Sequence, residues 1–80
     1  MWHVYVLKCT DQSFYVGCTS NFTERLARHG KGQVSYTSSR LPVEVQVVIS
    51  FRDKYTAFEF EKYLKSGSGR AFMYKRFLKR

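Results

Sequence analysis

The segment from Trp2 to Cys9 constrains the fold of this chain more than any other. Its alternating positions are apolar on both sides, with Trp2, Val4 and Val6 on one face and Tyr5, Leu7 and Cys9 on the other. A strand of this kind is covered on both faces. The sequence therefore predicts a strand at the centre of a sheet, with other elements packed on either side of it.

A second strand follows after a short turn. Thr10-Asp11-Gln12 has the composition of a turn, and residues 13–18 form the returning strand. A three-residue loop sets Tyr5 opposite Gly17, so that Tyr5 and Tyr15 share one face of the sheet, whereas a two-residue turn would separate them. We predict the three-residue loop. Gly17 then leaves an open space beside the Tyr5 ring, where a phosphate or a water molecule approaches.

The first helix is predicted from about Phe22 to His29. Asn21 is a favourable N-cap, and Glu24 completes a capping box three residues later. Gly30 suits the left-handed position that follows a helix. The helix is therefore bounded at both ends by sequence signals.

One edge of this helix carries reactive side chains. Phe22 and Leu26 form its buried stripe. Arg25 and His29 lie beside that stripe, four residues apart, and are expected to point along the sheet toward the two tyrosines. There a guanidinium would bind phosphate, and an imidazole would transfer protons. If the helix is considered alone, the alternative interpretation is favoured, in which Arg25 is simply exposed and His29 caps the C-terminal end of the helix.

A polar segment and a third strand come next. Residues 31–40 are a loop in which Lys31, Tyr36 and Arg40 are candidate contacts to a phosphate backbone, and a solvated connector is an equal alternative. Pro42 ends this loop. The strand that follows has one buried face, formed by Val43, Val45, Val47, Ile49 and Phe51.

The next helix contains a carboxylate in an unusual position. Asp53 or Thr56 caps the helix, which is expected to end near Ser66 with Gly67 as its terminator. Glu61 falls on the inward face, together with Ala57, Phe60 and Leu64. Carboxylates are rarely buried without a partner. Pairing with Lys65, pairing with Arg25 and binding of a metal ion are the three explanations.

The charge distribution favours an anionic partner. The formal net charge is +8, and seven Lys or Arg but no acidic residue follow Glu61. A last helix is predicted to open at Gly69-Arg70, with Phe72, Met73, Phe77 and Leu78 for packing and with Arg70, Lys75, Arg76, Lys79 and Arg80 as a basic face. We expect nucleic acid, rather than a membrane surface, to be the partner. Candidate contacts are Lys31, Tyr36, Arg40, Lys65, Arg70 and Lys75.

Together these elements predict one domain over residues 1–80. It is an α/β fold, with a three-stranded, mostly antiparallel sheet flanked by helices in the order β-β-α-β-α-α. Cys9 and Cys18 have no metal-ligand spacing, lie where they could face each other, and are expected to be reduced, apolar filler. No secretory signal or membrane-spanning run is evident, which predicts a cytoplasmic protein. A monomer is assumed.

The chain resembles the GIY-YIG nuclease domain. The resemblance rests on Tyr5, on Tyr15-Val16-Gly17, on Arg25 with His29, and on the segment from Glu61 to Arg70. It is similar to the small stand-alone bacterial members and to the N-terminal nuclease domain of the UvrC excision-repair protein. The first triplet, His3-Val4-Tyr5, lacks the initial glycine of the family, and the asparagine that many members carry after the metal-binding glutamate has no equivalent.

The resemblance implies metal-assisted hydrolysis of a nucleic-acid phosphodiester, with DNA favoured over RNA and a role in repair or recombination. Glu61 would bind Mg²⁺ or Mn²⁺, and Tyr5 or Tyr15 would take a proton from the attacking water. Arg25 would stabilise charge on the phosphoryl oxygens, and His29 would orient the water or assist proton transfer. The competing classes are an inactive nucleic-acid-binding module or nuclease scaffold, and an interaction domain that binds no nucleic acid.

Overall fold

Three strands form the sheet at the centre of the molecule. In this computed structural model, which describes residues 1–78, they are β1 (Trp2–Lys8), β2 (Phe14–Thr19) and β3 (Glu44–Phe51). Both neighbours pair antiparallel with β1, in the order β2-β1-β3. The predicted three-stranded antiparallel sheet is confirmed, and the strand with two apolar faces is the central one.

Four helices complete the described part of the chain. They are α1 (Phe22–Gly30), α2 (Ser35–Ser38), α3 (Lys54–Leu64) and α4 (Gly67–Arg76). The predicted order of elements is confirmed, with one addition, since α2 is a short helix inside the segment that was predicted to be a loop. Lys79 and Arg80, assigned above to a basic helix face, lie outside the described residues.

The hairpin between β1 and β2 has the predicted three-residue loop. The amide of Cys9 donates to the carbonyl of Ser13 at 2.8 Å, and the amide of Gln12 donates to the carbonyl of Cys9 at 3.0 Å. Gln12 adopts a positive φ of 73°, as expected for the residue that follows a type I turn in such a loop. The loop therefore sets the predicted register, in which Tyr5 pairs with Gly17.

The two faces of the sheet are covered by different helices. Val4, Val6 and Val16 form the main core with residues of α3 and α4, chiefly Ala57, Leu64 and Met73. Directly paired residues share a face, so Tyr5, Leu7, Tyr15 and Gly17 lie on the opposite side. That second face carries α1, whose His29 and Phe22 contact Tyr5.

The prediction that the third strand has a single buried face is wrong. Val6 pairs with Val47 but Leu7 pairs with Val45, so Gln46 is an extra residue that forms a β-bulge. The bulge moves Val45 to the Leu7 face, while Val47 stays on the Val6 face. Val45 is consequently more exposed than a core valine.

The glycine predictions also need correction. The left-handed position after α1 belongs to Gly32 (φ 74°), one residue beyond the cap Lys31, and not to Gly30. The amides of Gly32 and Gln33 donate to the carbonyls of His29 and Arg28, which is the Schellman arrangement.

At the other end of the chain, Gly67 does not terminate a helix but begins α4. Ser66 caps this helix by accepting a hydrogen bond from the amide of Gly69. Gly69 is buried where α3 and α4 meet, and a Cβ atom there would lie 1.7 Å from the carbonyl oxygen of Tyr63. Its lack of a side chain permits this close contact, which sequence alone did not indicate.

Two further sequence predictions concern the positions of the cysteines and the absence of a membrane-spanning segment. Cys18 is paired with Val4, whereas Cys9 lies at the base of the hairpin loop, so the two cysteines do not face each other. Both are free thiols. None of the helices within residues 1–78 is long and apolar enough to cross a membrane.

Candidate active site

Tyr5 lies directly over Gly17 in the centre of the site. A Cβ atom on Gly17 would come within 2.4 Å of both Cζ and Oη of Tyr5. The open space predicted beside the Tyr5 ring is therefore absent, because the ring itself fills it. The side chain of Tyr5 is completely buried. Glycine is required at position 17 to admit the phenol.

A chain of three buried side chains extends from this phenol. The Tyr5 hydroxyl lies 2.9 Å from Nε2 of His29, and Nδ1 of His29 lies 2.7 Å from Oγ1 of Thr37. All three residues have no solvent exposure. Within residues 1–78, no buried polar side-chain atom lacks a hydrogen-bond partner. Histidine as an exposed helix cap is thereby excluded, and the predicted direction of His29 toward the tyrosines is observed.

We assign the direction of the hydrogen bonds in this chain from the contacts of Thr37. Its hydroxyl donates to the carbonyl of Val34 at 3.4 Å, so its oxygen accepts from Nδ1 of His29. A neutral imidazole carries one proton, and that proton is then on Nδ1. Nε2 is left as an acceptor, and the Tyr5 hydroxyl donates to it. The network therefore presents an acceptor for the phenol proton.

Burial and local charge favour the neutral forms of both groups. Burial lowers the pKa of His29 below its usual value of 6.5, and the positive charges of Arg25 and Arg28 lower this pKa further. Burial and the neighbouring Tyr15 raise the pKa of Tyr5 to about 12, although the Arg25 guanidinium opposes the rise. At neutral pH the imidazole is unprotonated and the phenol retains its proton.

Tyr15 connects this buried network to the surface. Its ring lies edge-on to His29, with the ring centroids 4.9 Å apart, and it is 6.2 Å from the Tyr5 ring. On its other side it meets Tyr36 of α2 at 5.7 Å. Tyr15 is half-buried and Tyr36 is exposed. The two predicted tyrosines thus share a face, as the loop length required, but only Tyr15 reaches solvent.

Arg25 and Glu61 approach the same strand from opposite faces of the sheet. Arg25 lies on α1 and Glu61 on α3, and the charges of both act on the pKa of Tyr5 and on that of Cys18. Burial, followed by the Glu61 charge, raises the pKa of the Cys18 thiol. A guanidinium and a carboxylate of opposite charge therefore act on the same two side chains, one on β1 and one on β2.

Of the three explanations for Glu61, the pair with Lys65 is observed. The Lys65 ammonium donates to Oε2 of Glu61 at 3.0 Å, and the Glu61 side chain is 23% exposed. The ion pairs within the described residues are this one and that between Arg40 and Asp11, so no pairing of Glu61 with Arg25 is seen there. A partly exposed carboxylate whose one partner is an exposed lysine remains able to take up a cation.

The residues present fit an open metal site with a single protein ligand. Within residues 1–78, no three His, Cys, Asp or Glu side chains come together as a cluster. Mg²⁺ retains several waters and is often bound by one or two carboxylates together with substrate phosphates. The half-buried oxygens of Glu61 suit that role. They do not suit a closed site of three or four protein ligands.

A groove of about 450 Å³ lies at the start of β2, where residues 13–16 line it together with residues of α2, α3 and α4. Three of the predicted nucleic-acid contacts, Tyr36, Lys65 and Arg70, line it together with Tyr15. The other three are placed elsewhere. Lys31 caps the end of α1 and Lys75 is exposed on α4.

Arg40, the third predicted nucleic-acid contact that does not line the groove, is held in place by an ion pair and by an aromatic ring. Its Nε donates to Asp11 at 2.9 Å, and its guanidinium stacks on the Tyr36 ring at 4.1 Å. It therefore stabilises the loop and the Tyr36 ring, whatever it contributes to binding.

Thr37, which orients His29, was missed by sequence reasoning. The one available signal was its position eight residues after a candidate catalytic histidine.

Comparison with known proteins gives a consistent result. The family model described as the GIY-YIG catalytic domain matches residues 1–75. A UPF0213 protein of Bacillus cereus is 40% identical over 62 residues, which are 76% of this chain and 65% of that protein. A UPF0213 protein of Natronomonas pharaonis is 40% identical over 65 residues, covering 80% of this chain and 76% of that protein. The chain thus spans just under two thirds of the length of the Bacillus cereus relative.

A solved structure also resembles this one. The solution NMR structure of a UPF0213 protein from Bacillus halodurans has a TM-score of 0.60 and 29% sequence identity, covering 94% of this chain and 84% of that one. The arrangement of strands and helices described above is therefore a fold known from experiment.

Proposed function

Because this chain belongs to the GIY-YIG family, we propose that it is a metal-dependent endonuclease that hydrolyses nucleic-acid phosphodiester bonds. The observation that carries the proposal is the buried Tyr5–His29–Thr37 network, in which a phenol donates to an unprotonated imidazole. A structural role would leave cleavage unchanged when the phenol is removed, so the Tyr5→Phe variant distinguishes the two roles. The network lies next to an arginine, a carboxylate and a groove with basic residues, which is the set of groups that phosphodiester hydrolysis requires.

We assign the first proton transfer to Tyr5. Of the two phenols, Tyr5 is the one with a buried acceptor for its own proton, Nε2 of His29. Because Tyr5 has no solvent exposure in the free protein, this transfer requires the bound substrate to admit the attacking water to its hydroxyl. As Tyr5 accepts a proton from that water, its original proton passes to His29. The imidazolium that forms is held by the bond from Nδ1 to Thr37. Tyr15 lines the groove and contacts the substrate.

The charged residues stabilise the reacting phosphate. Arg25 offers a planar set of N–H donors to the phosphoryl oxygens as negative charge increases there. Glu61 would hold Mg²⁺ or Mn²⁺. When bound, such an ion neutralises phosphate charge and lowers the pKa of water. Lys65 neutralises Glu61 in the free protein, and its ammonium is available to phosphate once the carboxylate binds a cation.

The finer assignments belong to the same proposal. Resemblance to the UvrC nuclease domain supports DNA over RNA, and repair or recombination as the context. The two free thiols suit a reducing compartment, so we propose a cytoplasmic location. We further propose that residues 1–80 form one domain that acts as a monomer.

The test is a panel of labelled branched, duplex and single-stranded DNA and single-stranded RNA, incubated with Mg²⁺ or with a chelator. Cleavage of at least one DNA substrate that requires the cation supports the proposal. Binding without cleavage of any substrate would favour the inactive binding module instead. A protein that neither binds nor cleaves would be an interaction domain of another kind.

A further inference from the structure

The groove along β2 has an open strand edge on one side. β2 is one of the two outer strands of the sheet, with β1 as its partner. The Cys9–Ser13 hydrogen bond makes that pair a hydrogen-bonded one, and such pairs alternate along an antiparallel ladder. The N–H and C=O groups of Phe14 and Val16 therefore point away from β1, toward the groove.

Aromatic rings form much of the groove lining. Phe14 meets Tyr74 of α4 edge-on at 5.7 Å, and Tyr15 meets Tyr36 of α2 at 5.7 Å. Tyr36 and Tyr74 are 40% and 53% exposed, so each presents a ring surface to solvent. Exposed aromatic rings in the lining of one groove are able to stack planar ligands.

Two cationic side chains share the groove lining with these rings. Lys65 and Arg70 line the groove, and the Lys65 ammonium is 3.0 Å from Glu61. An anionic ligand held by Lys65 therefore lies within reach of the carboxylate that we assign to the metal. The net charge of +8 adds a general attraction for polyanions.

We propose that this groove binds an unpaired stretch of nucleic acid, with a base stacked on Tyr74 or Tyr36 and its phosphates directed toward Lys65 and Arg70. Stacking on a side chain requires a free base face, which a single strand offers and a continuous duplex does not. The volume of about 450 Å³ suits a small ligand such as one or two nucleotides. The inference rests on the proposed function, and it assigns single-stranded or branched substrates to the same site.

The experiment measures binding separately from cleavage. Glu61→Gln protein in a chelator is titrated into three labelled probes of equal length, about 12 nucleotides, which is within the usual range of site sizes. The probes are a thymidine single strand, the corresponding duplex, and an abasic strand with the same phosphates. We expect the thymidine strand to bind about tenfold more tightly than the abasic strand, because the abasic strand offers no base to stack.

Two variants and a control locate the effect. Tyr74→Leu and Tyr36→Leu, singly and together, are expected to bring the affinity for the thymidine strand toward that of the abasic strand. Tyr55→Leu replaces a 72% exposed tyrosine that does not line the groove, and should leave the preference intact. Melting curves of all variants exclude loss of fold as the cause.

The outcomes separate this inference from the proposed function. Equal affinities for the thymidine and abasic strands, or an unchanged preference in the double tyrosine variant, would overturn the inference even if the wild-type protein cleaves DNA. A base-dependent preference that is lost in that variant would support it even if no substrate is cleaved. Amide NMR shifts of residues 14–16 on addition of an extended apolar peptide, but not of the single strand, would reassign the groove to strand pairing with a protein.

Discussion

The Tyr5 hydroxyl donates to Nε2 of His29 at 2.9 Å, in a position where neither side chain has any contact with solvent. The bond spans the interface between the central strand and the first helix. It fixes the imidazole with one nitrogen directed at the phenol and the other at Thr37. The packing of α1 on β1 and the proposed proton transfer therefore both depend on the Tyr5 hydroxyl and Nε2 of His29.

Tyr5→Phe tests this bond directly. The ring still lies over Gly17, but Nε2 of His29 loses its donor, and a buried polar atom without a partner costs about 1–3 kcal/mol of unfolding free energy. We expect that loss in urea unfolding, together with a fall in cleavage rate of about 10²- to 10⁴-fold. Tyr55→Phe, at an exposed position, is the control and should change neither. Cleavage at the wild-type rate would remove Tyr5 from the mechanism.

Thr37→Val tests the orientation of the imidazole. The substitution keeps the shape of the side chain but removes the oxygen that accepts from Nδ1 of His29. Thr37 contacts no reacting group, so its role is positioning. We expect slower cleavage, a loss of about 1–3 kcal/mol of stability, and a second tautomer of His29 in ¹⁵N NMR spectra. Thr37→Ser retains the hydroxyl and should restore the single Nδ1–H tautomer. One unchanged tautomer in Thr37→Val would contradict the assignment.

Acid should destabilise the protein through His29. Its pKa in the folded chain lies below the ordinary 6.5, mainly because of burial. The unfolded chain therefore binds the proton first as the pH falls, and stability decreases from about 6.5 down to the lowered pKa of the folded state. Unfolding curves between about pH 5 and pH 7, together with an NMR titration of the His29 ring, measure both quantities. A His29 pKa above 6.5, or a stability that rises on acidification, would refute the buried neutral base.

Gly17→Ala tests the contact that admits Tyr5. The new methyl group would lie 2.4 Å from Cζ and Oη of Tyr5, so either the strand or the phenol must move. Such overpacking typically costs about 1–3 kcal/mol. Gly30→Ala is the matched control, because a Cβ there meets nothing within 4 Å, and it should be neutral or slightly stabilising. Equal melting temperatures for the two variants would contradict the described packing.

Local sequence signals predicted the elements that depend on local chemistry. Thr10-Asp11-Gln12 has the composition of a turn, and the three-residue loop predicted there sets the shared face of Tyr5 and Tyr15. Asn21 was predicted as a cap for the same reason, because its side chain accepts from an amide only three residues away. In each case the interacting groups are close neighbours in the chain or in a single hairpin.

Features that depend on distant contacts were not predictable in this way. The bulge at Gln46 is a property of pairing with β1, and nothing in the alternation of β3 marks it. Gly69 meets Tyr63 only because α3 and α4 pack closely. Thr37 becomes important only when α2 brings it to His29. A serine- and threonine-rich segment gives no local indication of which hydroxyl will be buried.

The most direct test of the central claim is Mg²⁺-dependent cleavage by Glu61→Gln, compared with Glu59→Gln. Glu59 is an exposed acid on the same helix, so both variants remove one charge from α3. The lost pair with Lys65 is worth only about 0.3–0.5 kcal/mol, and both proteins should remain folded. We predict that Glu61→Gln cleaves slower than wild type by orders of magnitude, and that Glu59→Gln cleaves at the wild-type rate. Mg²⁺-dependent cleavage by Glu61→Gln at the wild-type rate would show that Glu61 does not bind the catalytic metal.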